Sequence, residues 1–127
     1  MNVYDKAHEL ARALSASREY RDYKAAKEKV YQNETNKKML MDYKRKQFQL
    51  QASYLSGKKP SEEELDRFKK LSELIQYSQD ISSFLQAEYR LNTMVSDIYR
   101  ILSQAIDMDL DFVEEQQQEG EAANEKN

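Results

Sequence analysis

The longest regular pattern of hydrophobic residues in the chain lies between Ser82 and Met108. Hydrophobic residues recur there at seven-residue spacing in two neighbouring rows, which are Phe84, Leu91, Ile98 and Ala105, and Ala87, Met94, Ile101 and Met108. A sustained heptad pattern is typical of a helix whose apolar seam is covered by other helices. The sequence therefore predicts a long last helix and a chain that associates with itself.

The seam of this helix is the predicted core and dimer contact. Its residues are Phe84, Ala87, Leu91, Met94, Ile98, Ile101 and Ala105. A carboxylate placed among them would replace a buried apolar group and would have to be desolvated. We therefore expect Ile98→Asp to dissociate the dimer.

Four shorter helices are predicted before the heptad region, because apolar residues recur there at helical spacing. They span residues 3–15, 18–32, 37–56 and 62–77, with Asn2 and Ser17 as caps of the first two. Residues 33–36 favour a break and offer a further cap. Asp80 or Ser82 is the predicted cap of the last helix.

The clearest turn signal is the segment 57–61, Gly-Lys-Lys-Pro-Ser. Gly57 suits a helix C-cap, Pro60 cannot continue a helix, and Ser61 with Glu64 forms a capping box. Because short connections of this kind join antiparallel neighbours, the sequence predicts a hairpin of the third and fourth helices.

Composition agrees with a helical fold. The 127 residues are 39% hydrophobic and 34% charged, and they include only two Gly and one Pro. The predicted fold class is all-α, a long-helix bundle with an antiparallel hairpin that forms an intertwined dimer. We predict one helical domain over 1–112 and an acidic, disordered tail over 113–127, where large aliphatic residues are almost absent.

Charge divides the chain into two halves of opposite sign. Residues 18–59 hold 12 Lys and Arg against 5 Asp and Glu, whereas residues 60–127 hold 6 against 16. One interpretation is that basic and acidic helices pack together, within a chain or across a dimer. The other is that the basic half binds nucleic acid, since Lys and Arg along a helix can neutralise phosphates.

No set of residues specifies a reaction, a metal site or a cofactor. The chain has no cysteine, and His8 is its only histidine, so the ligands that zinc prefers are missing. Residues 107–111 imitate the start of a calcium loop, but Phe112 occupies the position that requires Gly. Since charged residues interrupt the N-terminus and no apolar run reaches membrane length, we expect a cytoplasmic protein with no metal, no cofactor and no membrane insertion.

Four segments resemble a known protein family. They are Tyr4-Asp5 with Ala7 and Leu10, Ser17-Arg18-Glu19-Tyr20, Gln47-Phe48-Gln49-Leu50-Gln51, and Leu85-Gln86-Ala87-Glu88-Tyr89-Arg90. In order and spacing they resemble the YlbF/YmcA family of small bacterial helical proteins, and most closely its cysteine-free YheA-like branch. The resemblance covers about Asn2 to Phe112.

The resemblance implies an all-helical cytoplasmic protein that forms oligomers through long helices. Better-studied members of the family regulate competence, sporulation and biofilm formation. They act without known catalysis, through partner proteins that govern RNA processing by a membrane-attached endonuclease. Some bind iron-sulfur clusters through cysteines, and this property does not carry over to a chain without cysteine.

The leading hypothesis is a non-enzymatic regulatory or adaptor protein, a homodimer that presents a helical surface to another protein. The alternative is an RNA-binding accessory protein that uses the basic segment 18–59. Its expected RNA or partner contacts are Lys37, Lys38, Lys44, Arg45, Lys46, Lys58 and Lys59.

Overall fold

A computed structural model describes residues 2–107, and all regular secondary structure in this range is helical. The five helices are α1 (Val3–Ser15), α2 (Arg18–Tyr31), α3 (Glu34–Leu55), α4 (Glu62–Gln76) and α5 (Gln79–Ala105). The predicted all-α fold is thereby confirmed. Met108 of the heptad pattern and the predicted tail 113–127 lie outside the described residues.

Each helix begins after a polar residue whose side chain accepts a backbone N–H of the first turn. The caps are Asn2, Ser17, Asn33, Ser61 and Ser78. α3 begins three residues before the predicted position, because the Asn33 side chain accepts the N–H of Asn36 at 3.0 Å. The predicted caps of α5, Asp80 and Ser82, were wrong. Ser78 has this role, and its Oγ accepts the N–H of Ile81 at 3.3 Å.

The third and fourth helices form the predicted antiparallel hairpin. Gly57 adopts φ +81° after the end of α3, a conformation that glycine reaches without steric cost. The rings of Tyr43 on α3 and Phe68 on α4 then stack, with centroids 5.3 Å apart. This contact holds the two helices side by side.

The core lies between α2 and α5, which run antiparallel and form the most extensive helix pair in the described chain. Val30 and Ile81 are fully buried, and the rings of Tyr23 and Phe84 contact each other with centroids 5.4 Å apart. The hydrophobic residues that are buried within 2–107 are Val30, Leu40, Ile75, Ile81, Phe84 and Ala87. The single-chain core is therefore small, and it is concentrated around the first half of α5.

Basic and acidic halves of the chain meet between α3 and α5. Lys44 forms an ion pair with Glu88, and both side chains are partly buried. The other ion pairs found within residues 2–107 join residues three or four apart on one helix. None of these ion pairs joins α3 to α4. Aromatic stacking joins those two helices instead.

Candidate protein-interaction surfaces

The predicted seam of α5 divides into a covered and an uncovered half. Phe84 and Ala87 are buried, with 4% and 2% of their surface exposed. Leu91, Met94 and Ile98 are half-buried, and Ala105 and Ile101 are exposed, Ile101 to 63%. The first two seam residues therefore belong to the core of the chain itself, whereas the last two remain exposed within residues 2–107.

Helix length explains why the cover stops. α5 has 27 residues and α2 has 14, which at about 1.5 Å per residue corresponds to roughly 40 Å against 21 Å. The first turn of α2 lies beside the middle of α5, where Arg18 and Asp22 line one groove with Met94 and Asp97. Beyond that point, α2 has no residues left to cover α5.

Helix α1 is also largely uncovered. Its residues 3–13 are all exposed, and Leu14 is half-buried near its end. Leu14 lines an apolar groove together with Tyr20 of α2 and with Leu91 and Val95 of α5. The other apolar residues of α1, Val3, Ala7 and Leu10, are exposed.

We call these two uncovered faces together the distal surface. It consists of Val3, Ala7, Leu10 and Leu14 on α1, and of Ile98, Ile101, Leu102 and Ala105 on α5, and all of these are exposed except the half-buried Leu14 and Ile98 at its inner edge. Of these residues, Val3 is 80% exposed and Leu102 is 43% exposed. Each group lies on one face of its helix, because each member has another three or four residues away, which is the spacing of neighbours on one helical face.

The seven basic residues proposed to contact RNA or a partner do not form one uniform patch. Lys38, Arg45, Lys58 and Lys59 are exposed, whereas Lys37, Lys44 and Lys46 are half-buried. Lys44 pairs with Glu88, and Arg45 lies 3.5 Å from the Asp42 carboxylate. Lys46 lines a groove between α3 and α4. Several of these charges are thus engaged within the protein.

Lysines of α2 and α3 lie over tyrosine rings of α2. The Lys27 amino group stands 6.0 Å from the ring centroid of Tyr23 and 5.4 Å from that of Tyr31. Lys37 approaches Tyr31 from α3 at 5.2 Å. The signal for the cluster was the four-residue spacing of Tyr23, Lys27 and Tyr31.

Helix α3 carries a further apolar row on its exposed side. Met41, Phe48 and Leu55 follow one another at seven-residue spacing, and they are 48%, 72% and 58% exposed. We call this row the α3 stripe. The buried residue of α3, Leu40, points to a different side of the helix and contributes to the core.

Within the described residues, the arrangement of titratable groups does not suggest chemistry. No group of three or more His, Asp or Glu is placed to hold a metal ion. His8 is exposed on α1. None of the helices in residues 2–107 combines the length and the hydrophobicity that a bilayer crossing needs. The notable surfaces of this protein are apolar helix faces.

Comparison with known proteins identifies relatives along almost the whole described chain. Residues 3–107 match the family model described as control of competence regulator ComK, YlbF/YmcA. A UPF0342 protein of Symbiobacterium thermophilum is 40% identical over 110 residues, which cover 87% of this chain and 98% of that protein. A UPF0342 protein of Clostridium tetani is 38% identical over 112 residues, or 88% of this chain and 97% of that one.

A solved structure shows the same fold. It is a protein of unknown function (DUF964) from Bacillus stearothermophilus, with a TM-score of 0.71 and 20% sequence identity, over 81% of this chain and 90% of that chain. The names of these relatives state no enzymatic activity. The match of the family model over residues 3–107, together with the identity to relatives of nearly equal length, shows that this chain belongs to the YlbF/YmcA family.

Proposed function

We propose that this protein is a non-enzymatic regulatory adaptor, a cytoplasmic homodimer that acts by presenting helical surfaces to other proteins. The family description names the control of a competence regulator, and this fits a regulatory role. By resemblance to the family, that role concerns competence, sporulation or biofilm formation and is linked to RNA processing.

The observation that carries the proposal is the distal surface. A helix of 13 residues is marginally stable in water on its own, and in α1 residues 3–13 are exposed while Leu14 in the last turn is half-buried. Its stability as a helix therefore requires packing of its apolar face. Ile101 and Leu102 at the far end of α5 expose apolar surface of the same kind.

A second copy of the chain supplies matching surfaces. In a two-fold symmetric dimer, the same patch on each subunit faces its partner, so the uncovered apolar faces of α1 and α5 can cover their counterparts. The residues that we propose as dimer contacts are Leu91, Met94, Ile98, Ile101 and Ala105. Phe84 and Ala87 are buried by their own chain and serve the core.

Sedimentation velocity of the full-length protein at micromolar concentration tests the dimer. We expect the wild type to sediment as a dimer and Ile101→Asp to sediment as a folded monomer, because Ile101 is exposed within its own chain. Tyr89→Asp is the matched control, since Tyr89 is also exposed but lies on the opposite face of α5. A monomeric wild type, or a dimer insensitive to Ile101→Asp, would refute this assembly.

RNA binding by the basic segment 18–59 is the second candidate function. The observation in its favour is the cluster of Lys24, Lys27 and Lys37 over tyrosine rings, which combines cations with aromatic surface. Binding of a single-stranded RNA should then weaken steeply with salt. Absence of binding at low salt, in a titration of the intact protein, would eliminate this candidate.

A further inference from the structure

The α3 stripe is a second apolar surface, separate from the distal surface. Met41 and Leu55 are 14 positions apart, so the row extends over about 21 Å at about 1.5 Å per residue. Phe48 lies at its centre and is 72% exposed. A row with seven-residue spacing is what one helix presents to another helix that lies alongside it.

Basic residues lie along one side of the α3 stripe and beyond its end. Lys38 and Arg45 project from the same exposed side of α3, and Lys58 and Lys59 follow Gly57 just beyond Leu55. All four side chains belong to exposed residues. Asp42 is the acidic residue near the middle of α3, and it lies 3.5 Å from Arg45. Within α3 as a whole, five Lys and Arg stand against two acidic residues, Glu34 and Asp42, so the helix that carries the stripe has a net positive charge.

We propose that the α3 stripe binds an amphipathic helix of a partner protein, one with a row of apolar residues flanked by Asp and Glu. The apolar row would pack on Met41, Phe48 and Leu55, and the flanking carboxylates would face Lys38, Arg45, Lys58 and Lys59. Charge complementarity selects this class of partner, because a helix with basic flanks would meet like charges. The inference rests on the proposed adaptor function and specifies what the adaptor recognises.

Other occupants predict different behaviour. Nucleic acid would use the lysines and arginines but would gain little from an aliphatic row with seven-residue spacing. A second copy of this chain would make the α3 stripe a dimer contact, so that substitution of Phe48 would change the oligomeric state. The test below separates these outcomes.

Fluorescence anisotropy with labelled synthetic peptides, titrated with the full-length protein, tests the proposal. The probe is a helical peptide of about 21 residues with Leu in a heptad row and Glu at the flanking positions. One comparison peptide has Lys in place of every Glu, and another has the composition of the probe in scrambled order. We expect the acidic amphipathic peptide to bind more tightly than both, and more weakly as salt increases.

Variants of the protein then test whether the peptide binds at the α3 stripe. Phe48→Glu should weaken binding of the acidic peptide at least about tenfold, since a central aromatic residue carries much of the energy of such an interface. The double variant K38E/R45E should weaken it and reduce its salt dependence. Tyr77→Glu is the control, because Tyr77 is 90% exposed at the end of α4, outside the stripe. Circular dichroism verifies that each variant keeps its helix content.

Several results would overturn the proposal. Equal binding of the acidic and scrambled peptides would do so, as would acidic-peptide binding that is unchanged by Phe48→Glu. Dissociation of the dimer by Phe48→Glu would assign the stripe to a second copy. Competition of RNA with the peptide, equally strong in the wild type and in Phe48→Glu, would assign the surface to nucleic acid. If the wild type forms a dimer that Ile101→Asp dissociates, but it binds none of the peptides, only this inference is contradicted. The proposed adaptor dimer would then still stand.

Discussion

The two halves of α5 carry the same hydrophobic pattern but have different surroundings. In the first half, Ile81, Phe84 and Ala87 are buried against α2 and its neighbours. In the second half, Ile101 and Leu102 are 63% and 43% exposed. A heptad row thus specifies which face of a helix is apolar. It does not specify whether that face is covered within its own chain.

Because of this difference, the two halves of α5 contribute to different properties, the first to the stability of the single chain and the second to association. The covered half contributes to the folding of the single chain, because its apolar surface is removed from water when the helices pack. The uncovered half gains little from intrachain folding and remains available for a second molecule. Substitutions in the two halves should therefore have distinct consequences.

The largest effect is expected in the covered half. Phe84→Ala should lower the free energy of unfolding by about 3 to 5 kcal/mol, because it leaves a cavity next to Tyr23 in a small core. Urea denaturation at fixed protein concentration measures the change. Tyr89→Ala on the exposed side of the same helix should change it by less than about 0.5 kcal/mol. Equal costs for the two variants would contradict the division of α5.

A charged residue introduced on α1 or in the uncovered half of α5 should weaken dimer association. Leu10→Asp on α1 and Ile98→Asp on α5 should each raise the dissociation constant of the dimer by about a hundredfold or more, because a carboxylate in the interface must be desolvated. Sedimentation equilibrium measures the constant. Hydrogen exchange should show faster exchange in α1 once the partner is lost. If Leu10→Asp left the dimer intact, α1 would not belong to the interface.

A smaller effect is expected at the start of the covered half. The Ser78 side chain caps α5 and also approaches the Asn36 side chain at 3.5 Å. Ser78→Ala should therefore cost about 1 kcal/mol of unfolding free energy, the usual value for loss of an N-cap. Thermal unfolding followed by circular dichroism measures it, with Ser78→Asp as the variant that restores a cap. The oligomeric state should remain that of the wild type.

The smallest effect is expected from the ion pair between α3 and the covered half. A double-mutant cycle with Lys44→Ala and Glu88→Ala should give a coupling energy of about 0.5 kcal/mol, because both side chains retain contact with solvent. The coupling should decrease at high salt. The exposed pair Arg67 and Glu63 provides a comparison within α4 and should couple more weakly. A coupling energy larger than the loss of unfolding free energy caused by Phe84→Ala would show that charge, not packing, joins α3 to α5.

Local signals in the sequence were sufficient for most of the helices. Ser17, Ser61 and Gly57 have short-range roles in capping and turning that depend on a few neighbouring residues, and the structure places them as predicted. The cap of α5 was misplaced because Ser78, Asp80 and Ser82 are all suitable residues. Local preference alone does not distinguish them.

The candidate surfaces were less predictable. The heptad row identified Phe84 and Ile101 as equivalent, although one lies in the core and the other is exposed. The basic residues were read as one group, although Lys44 pairs across helices and Lys38 faces outward. Such differences depend on which helices become neighbours, and this information is not contained in periodicity.

By itself, the sequence determined that this protein is built of helices, where those helices break and which side of each is apolar, because these properties depend on residues a few positions apart. The tertiary structure decided that α2 covers only the first half of α5 and that α1 and the α3 stripe stay uncovered. The physical reason is that burial depends on the lengths and relative placement of elements far apart in the chain. For this reason the surfaces proposed for partners became visible only in the assembled fold.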